Sequence, residues 1–324
     1  MKPAFDPARV SLAKLPTPVE SLPRLSAELG VASITVKRDD MTGLAFGGNK
    51  TRKLEFLLAD AKNQGAKRLI TRGAAQSNHC RQTAAAAAKQ GFACTLVLTG
   101  CEPSDVNGNL LLHHLLGADL VWTGDDDPDE VLNATFLDLE EQQAAPYLIP
   151  YGGSNPIGAQ AYAYALGEWM QQGVQADRIV FATSSGGTQA GLVLGARAYG
   201  FQGKITGISV DKPAAELQAT VITLANRTAP RLTYDGDIQA DDVEILDGYL
   251  GAGYGVMGDP EREAIALFAR LEGMMLDPVY TGRAAAGMMD CIRTGIFSSS
   301  ERILFWHTGG TPGLFAYADQ LTSG

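Results

Sequence analysis

Arg178-Ile179-Val180-Phe181-Ala182-Thr183-Ser184-Ser185-Gly186-Gly187-Thr188-Gln189-Ala190-Gly191-Leu192-Val193-Leu194 changes character twice along its length. The opening β-branched and aromatic residues read as a short buried strand, and the closing apolar run reads as a helix. Between them, Ser185-Gly186-Gly187-Thr188 offers free backbone N–H groups, two hydroxyls and glycines that admit close approach of an anion. A phosphate cradle is one reading of such a loop. A plain tight turn before a helix is the other, and the four residues alone do not separate them. The spacing is not G-x-G-x-x-G and no acidic residue follows at the dinucleotide distance, so a dinucleotide site is disfavoured.

The same alternation runs outward in both directions. Ser33-Ile34-Thr35-Val36-Lys37, Arg68-Leu69-Ile70-Thr71, Cys94-Thr95-Leu96-Val97-Leu98, Ile205-Thr206-Gly207-Ile208-Ser209-Val210 and Arg302-Ile303-Leu304-Phe305-Trp306 are further candidate strands, separated by helical stretches. Such a pattern predicts an α/β chain with parallel-type sheets flanked by helices, and ligands gather beyond the C-terminal ends of those strands. Two more loops there are polar and feed a helix: Gly73-Ala74-Ala75-Gln76-Ser77-Asn78-His79 before the alanine run Ala84 to Ala88, and His307-Thr308-Gly309-Gly310-Thr311-Pro312. Ser77 or Asn78 serves as an N-cap or as a ligand contact.

Composition excludes several classes. The 324 residues carry a formal net charge of -10 and no basic run, which argues against nucleic-acid or anionic-membrane partners. No apolar stretch reaches membrane-span length, and Met1-Lys2-Pro3-Ala4-Phe5-Asp6-Pro7 lacks the apolar core of a secretory leader, so a cytoplasmic location is expected. Cys80, Cys94, Cys101 and Cys291 form no C-x-x-C pair, and His113-His114 has no ligand spacing around it; neither a disulfide framework nor a metal site is expected.

Gly47-Gly48-Asn49-Lys50-Thr51-Arg52-Lys53-Leu54-Glu55-Phe56-Leu57-Leu58-Ala59-Asp60-Ala61 carries apolar residues at 54, 57, 58 and 61, which predicts a helix starting near Asn49 or Lys50. Lys50, Arg52 and Lys53 then fall in its first turn, where the helix dipole disfavours cations. A solvated basic turn accounts for this. A lysine held partly neutral for imine chemistry also accounts for it. Asn49 breaks the G-K-[ST] register of a Walker A loop, so ATP binding is not expected. One lysine, one phosphate cradle and one polar loop are together the parts of a pyridoxal-phosphate site.

Those residues, with Lys37-Arg38-Asp39-Asp40, Gln76-Ser77-Asn78-His79-Cys80-Arg81-Gln82, Gly253-Tyr254-Gly255, Glu272-Gly273, Asp277-Pro278-Val279-Tyr280 and His307-Thr308-Gly309-Gly310, make the chain resemble a family nearly end to end. It is the fold-type-II pyridoxal-phosphate family of D-cysteine desulfhydrases and 1-aminocyclopropane-1-carboxylate (ACC) deaminases, whose fold is like that of the tryptophan synthase β chain. The resemblance implies a small domain at 48–160 inserted in a large cofactor-binding domain formed by 1–47 and 161–324, and a homodimer. It implies that Lys50 holds the cofactor as an imine, Asn78 bonds its phenolic oxygen, and Ser185, Gly186, Gly187 and Thr188 take its phosphate. Ser77, Asn78 and His79 would receive the substrate carboxylate, and Tyr254 and Tyr280 would line the substrate side, with Lys50 or Tyr280 as the α-proton base and Ser77 beside them.

The deaminase branch has glutamate where this chain has Thr281, and leucine where it has Thr308. A carboxylate keeps the pyridine nitrogen protonated and the ring a strong electron sink, which opening a cyclopropane needs; a hydroxyl does not. Thr281 and Thr308 therefore point to α,β-elimination from D-cysteine, giving pyruvate, sulfide and ammonia, with L-cysteate sulfo-lyase activity as the alternative. ACC deamination is disfavoured. A non-catalytic relative would be expected to have lost the lysine or the phosphate loop, and both are present.

Overall fold

The computed structural model describes residues 8–322, so the Met1 to Pro7 stretch read for a leader lies outside the described residues. The strands are β1 (Val19–Ser21), β2 (Ser33–Arg38), β3 (Arg68–Ala74), β4 (Ala93–Thr99), β5 (Asp119–Trp122), β6 (Pro146–Leu148), β7 (Arg178–Thr183), β8 (Lys204–Ser209), β9 (Glu244–Leu246) and β10 (Arg302–His307). The main helices are α1 (Pro23–Leu29), α2 (Asn49–Asn63), α3 (Asn78–Gln90), α4 (Gly108–Leu115), α5 (Pro128–Glu141), α6 (Pro156–Gln171), α7 (Gly187–Tyr199), α8 (Ala214–Thr228), α9 (Asp259–Glu272) and α10 (Thr281–Arg293).

They build two sheets, a six-stranded one ordered β1-β2-β10-β7-β8-β9 and a four-stranded one ordered β5-β4-β3-β6. Every pairing is parallel except β1 with β2. The chain is therefore α/β, as its alternating pattern predicts.

Strand alternation explains the layers. In β7 every residue is buried, because helices cover both faces. Val180 and Ala182 join Ile208, Ile303 and Phe305 in a core with residues of α1, α9 and α10, while Ile179 and Phe181 face a second core with α6, α7 and α8. The smaller sheet repeats the plan. Leu69, Leu96 and Leu98 pack on α2 and α3, and Ile70 and Val97 pack on Leu132 and Leu139 of α5. Ala84 to Ala87 are buried, so the alanine run is a close-packed helix face.

Both sheets aim their strand C-termini toward one region. β7 ends at Thr183 before the Gly186-Gly187 loop, β10 ends at His307 before Thr308, and β3 ends at Ala74 before Ser77. The register of β10 against β2 and β7 brings the last strand between the first and the middle of the chain.

Candidate active site

α2 begins where the chain makes two glycine-only turns. Gly48 has φ 125°, and a side chain there would strike Gln82. Gly309, at φ 91°, approaches so closely that a Cβ would sit 2.6 Å from Gly48 Cα. Asn49 N donates to Thr308 O at 2.9 Å, which ties the start of α2 to the end of β10. Lys50 lines the cavity that forms at this junction. Burial lowers its pKa to about 8.

The two other cations of this turn are not solvated. Arg52 is buried, with Nη2 at 2.8 Å from Asp39 Oδ1 and Nη1 at 2.8 Å from Glu168 Oε2. Lys37 Nζ completes the cluster at 2.6 Å from Glu168 Oε1, and Tyr162 and Trp306 both donate to Asp39 Oδ2. Lys53 is buried as well and donates to Gly152 O at 3.1 Å. Burial, reinforced by Lys50, holds its pKa well below the usual lysine value.

Lys53 lies against the loop after β7. A Cβ on Gly187 would fall 2.9 Å from Lys53 Nζ and would press into Ser154, so only glycine fits there. Gly186 adopts φ 78° as the N-cap of α7, and no side chain caps that helix. Its first N–H groups are therefore free for an anion. Ser185 Oγ lies 2.8 Å from Ser154 Oγ on the facing segment.

In the loop after β3, Ser77 is the N-cap of α3 and accepts from Cys80 N at 3.1 Å. Ser77, Asn78 and His79 all line the cavity. Thr71 Oγ1 gives its one proton to Ile149 O at 2.8 Å, so His79 Nε2, 2.9 Å from the same oxygen, is the donor in that pair. His79 Nδ1 keeps its lone pair and is buried without a partner. Burial and the nearby Lys50 and Lys53 push this imidazole well below its usual pKa. It is neutral, so an anion in this loop must be met by hydroxyl and backbone N–H groups.

Tyr280 also lines the cavity, and Tyr254 Oη lies 2.6 Å from Tyr280 Oη. Burial raises the pKa of both phenols. Asp277 fixes their turn. Its Oδ2 accepts from Val279 N at 3.1 Å and Tyr280 N at 2.9 Å, and its Oδ1 accepts from Thr281 N at 2.9 Å and Thr281 Oγ1 at 2.7 Å.

Thr281 is the expected cofactor contact that departs from the reading above. It is wholly buried, it is not among the residues lining the cavity, and its hydroxyl is engaged by Asp277, which also donates to it from the backbone at 2.8 Å. Its two hydrogen bonds with Asp277, just before α10, occupy it. Thr308 does line the cavity. Lys50, Ser77, Asn78, His79, Ser185, Gly186, Thr188, Tyr280 and Thr308 are thus brought together, with Gly187 behind the loop and Tyr254 reaching in through Tyr280. Sequence reasoning missed Tyr151 and Ser154, and gave Lys53 no role of its own. Only the contact between residues far apart in the chain distinguishes these three.

The sequence matches the model of the pyridoxal-phosphate dependent enzyme family over residues 10–309, and the chain belongs to that family. It is 44% identical to the D-cysteine desulfhydrase of Salmonella typhi over 318 residues, which covers 95% of this chain and 96% of that protein. The D-cysteine desulfhydrase of Salmonella newport matches to the same extent. Among solved structures, an ACC deaminase homologue superimposes with a TM-score of 0.91 at 38% identity, covering 98% of this chain and 96% of that one. A pyridoxal 5'-phosphate-dependent aspartate racemase shares the fold, with a TM-score of 0.65 at 15% identity.

The cofactor is pyridoxal phosphate, and the residues fit it. An uncapped helix start with the buried Lys53 side chain beside it suits a phosphate, whose charge would favour the protonated amine, and a lysine with a depressed pKa suits an aldehyde. The enzyme is a lyase of this cofactor class.

Proposed function

We propose that this chain releases sulfide from D-cysteine, converting D-cysteine and water to pyruvate, hydrogen sulfide and ammonia. One observation carries the choice of reaction: among the residues lining the cavity there is no aspartate or glutamate. Without a carboxylate facing it, the ring nitrogen of the cofactor would not be held protonated, and Thr308, which lines the cavity, is the hydroxyl we assign to it. β-Elimination tolerates the weaker electron sink because the departing sulfur carries the electron pair.

Bound pyridoxal phosphate supplies an electron sink conjugated to the substrate Cα. Lys50 is the residue we assign to hold it, with Ser185, Gly186, Gly187, Thr188 and Lys53 at its phosphate and Asn78 at its phenolic oxygen. Lys50 Nζ, with its pKa near 8, is partly a free amine at neutral pH and is the base for the α-proton once the substrate amine has replaced it. Tyr280, raised well above the usual phenol range, keeps its proton and acts as a hydrogen-bond donor, steadying through Oη the negative charge on the leaving sulfur. Tyr254 holds that hydroxyl in place. Ser77 Oγ and the first N–H groups of α3 receive the substrate carboxylate.

The two sheets support a division into a small domain at 48–160 and a large one from 1–47 and 161–324, although residue 160 lies within α6, which packs on both. We assign the assembly as a homodimer and the location as the cytoplasm; four free cysteines, three of them buried, support a reducing compartment. No helix among the described residues is long and apolar enough to cross a membrane.

A product assay tests the reaction. Pyruvate and sulfide from D-cysteine, with little turnover of L-cysteine, L-cysteate or ACC, are expected. Sulfite from L-cysteate as the faster reaction would transfer the assignment to a sulfo-lyase, and 2-oxobutyrate from ACC would overturn the argument from the cavity wall.

A further inference from the structure

Behind Asn78, where α3 meets the start of α4, lies a buried cation that none of the steps above uses. Arg81 is fully buried, yet its guanidinium is held by three neutral oxygens. Nη1 donates to Asn78 Oδ1 at 3.2 Å and to Asn109 Oδ1 at 2.9 Å, and Nη2 donates to Gly47 O at 2.7 Å. Its Nε is buried without a partner. Burial lowers its pKa to about 10, with Asp277 only partly offsetting this. A buried charge with no carboxylate bonded to it costs stability, so such a residue is not explained by packing.

Asn109 is the second half of the arrangement. Its Nδ2 donates to Asn78 Oδ1 at 2.9 Å and to Gln76 O at 2.8 Å, while its backbone N–H is held by Gln76 Oε1 at 2.8 Å. Two donors converge on Asn78 Oδ1. This fixes the flip of the Asn78 amide, leaving Nδ2 as the group that Asn78 can turn toward the cavity it lines.

We propose that Arg81, together with Asn109, is a positioning residue that locks Asn78 as a hydrogen-bond donor to the cavity and sets a positive charge behind it. The ligand atom that this recognises is an ionised phenolic oxygen, as in the bound cofactor, and the inference rests on the assignment of Asn78 to that atom. A donor polarised by a cation favours the ionised oxygen over its protonated form. Arg81 also reaches Gly47, three residues before Lys50, so the same guanidinium ties the loop that carries Asn78 to the one that leads into Lys50.

The holoenzyme provides the test through its absorption spectrum and its affinity for pyridoxal phosphate. The variants are R81M, R81K, N109D and N78A. N109D keeps an acceptor for Arg81 while replacing the donor to Asn78 with an oxygen, so it decides the matter if R81M does not fold. In R81M and N109D the long-wavelength band of the ionised form should fall relative to the near-ultraviolet band of the neutral form. The Kd for pyridoxal phosphate should rise about ten-fold. R81K, which keeps the charge, should recover part of both effects. Folded R81M and N109D with the wild-type band ratio and affinity, alongside a shift in N78A, would overturn the inference and leave the Asn78 assignment standing. No shift in N78A would remove that assignment and the inference with it.

Discussion

Lys50, Arg52 and Lys53 share one helical turn and meet three different surroundings: a cavity, the buried Asp39 with the half-buried Glu168, and the loop before α7. Burial alone takes Lys50 to about 8, and a neutral amine is the form that attacks an aldehyde. The rate at which the apoprotein incorporates pyridoxal phosphate should therefore rise about ten-fold per pH unit below 8 and level off above it. Stopped-flow growth of the visible band would show this, and K50A should show no such band at any pH. Thr281 yields a second prediction. Glutamate at this wholly buried position would displace the hydroxyl from Asp277 and set two carboxylates side by side. T281E should lose about 3 kcal/mol or more in urea unfolding and should not gain ACC turnover.

At the scale of elements, the loop into α7 is the most constrained piece of the site. G187A adds one methyl against Lys53 Nζ and Ser154, and should weaken pyridoxal phosphate binding about ten-fold or more in equilibrium dialysis, with an overpacking loss of about 1–3 kcal/mol in urea unfolding of the apoprotein. The β7 strand, this loop and α7 were all legible in the sequence, because each carries its own local signal. So were β2, β3, β4, β8 and β10, whose interiors are apolar runs. The strands that escaped notice were β1, β5, β6 and β9, each of three or four residues. All four are sheet edges, where one side meets solvent and the hydrophobic run that marks a central strand is not required. The site residues were legible for another reason. Lys50, Asn78 and the glycine loop sit at helix starts, whereas the importance of Lys53 and Ser154 comes from a contact across the chain.

Across the whole molecule, the cluster of Lys37, Asp39, Arg52 and Glu168 joins β2, α2 and α6 beneath the site. Buried ion pairs add little net stability but are costly to break. R52M leaves Asp39 without its cation and should destabilise the protein by about 3–5 kcal/mol, measured by denaturant unfolding. The folded-state pKa values of Asp39 and Glu168 lie below those of ordinary carboxylates despite their burial, because Arg52 and its hydrogen bonds hold the charged forms. Their stabilisation is thus fully present above the ordinary carboxylate range and is lost as pH falls through the folded values. Acid titration of the melting temperature should show that loss, and it should be smaller in E168Q.

A residue on a helix is aimed by its count from the start, about 100° per step. Deleting one position between Gly48 and Leu54 would rotate every later side chain by that angle, turning Lys53 from the α7 loop and whatever replaced Arg52 from Asp39. Natural variants of this chain should therefore keep the length of this turn fixed even where its residue types drift. The run from Cys101 to Val106, exposed at every position, is where insertions can accumulate without disturbing any of these aims.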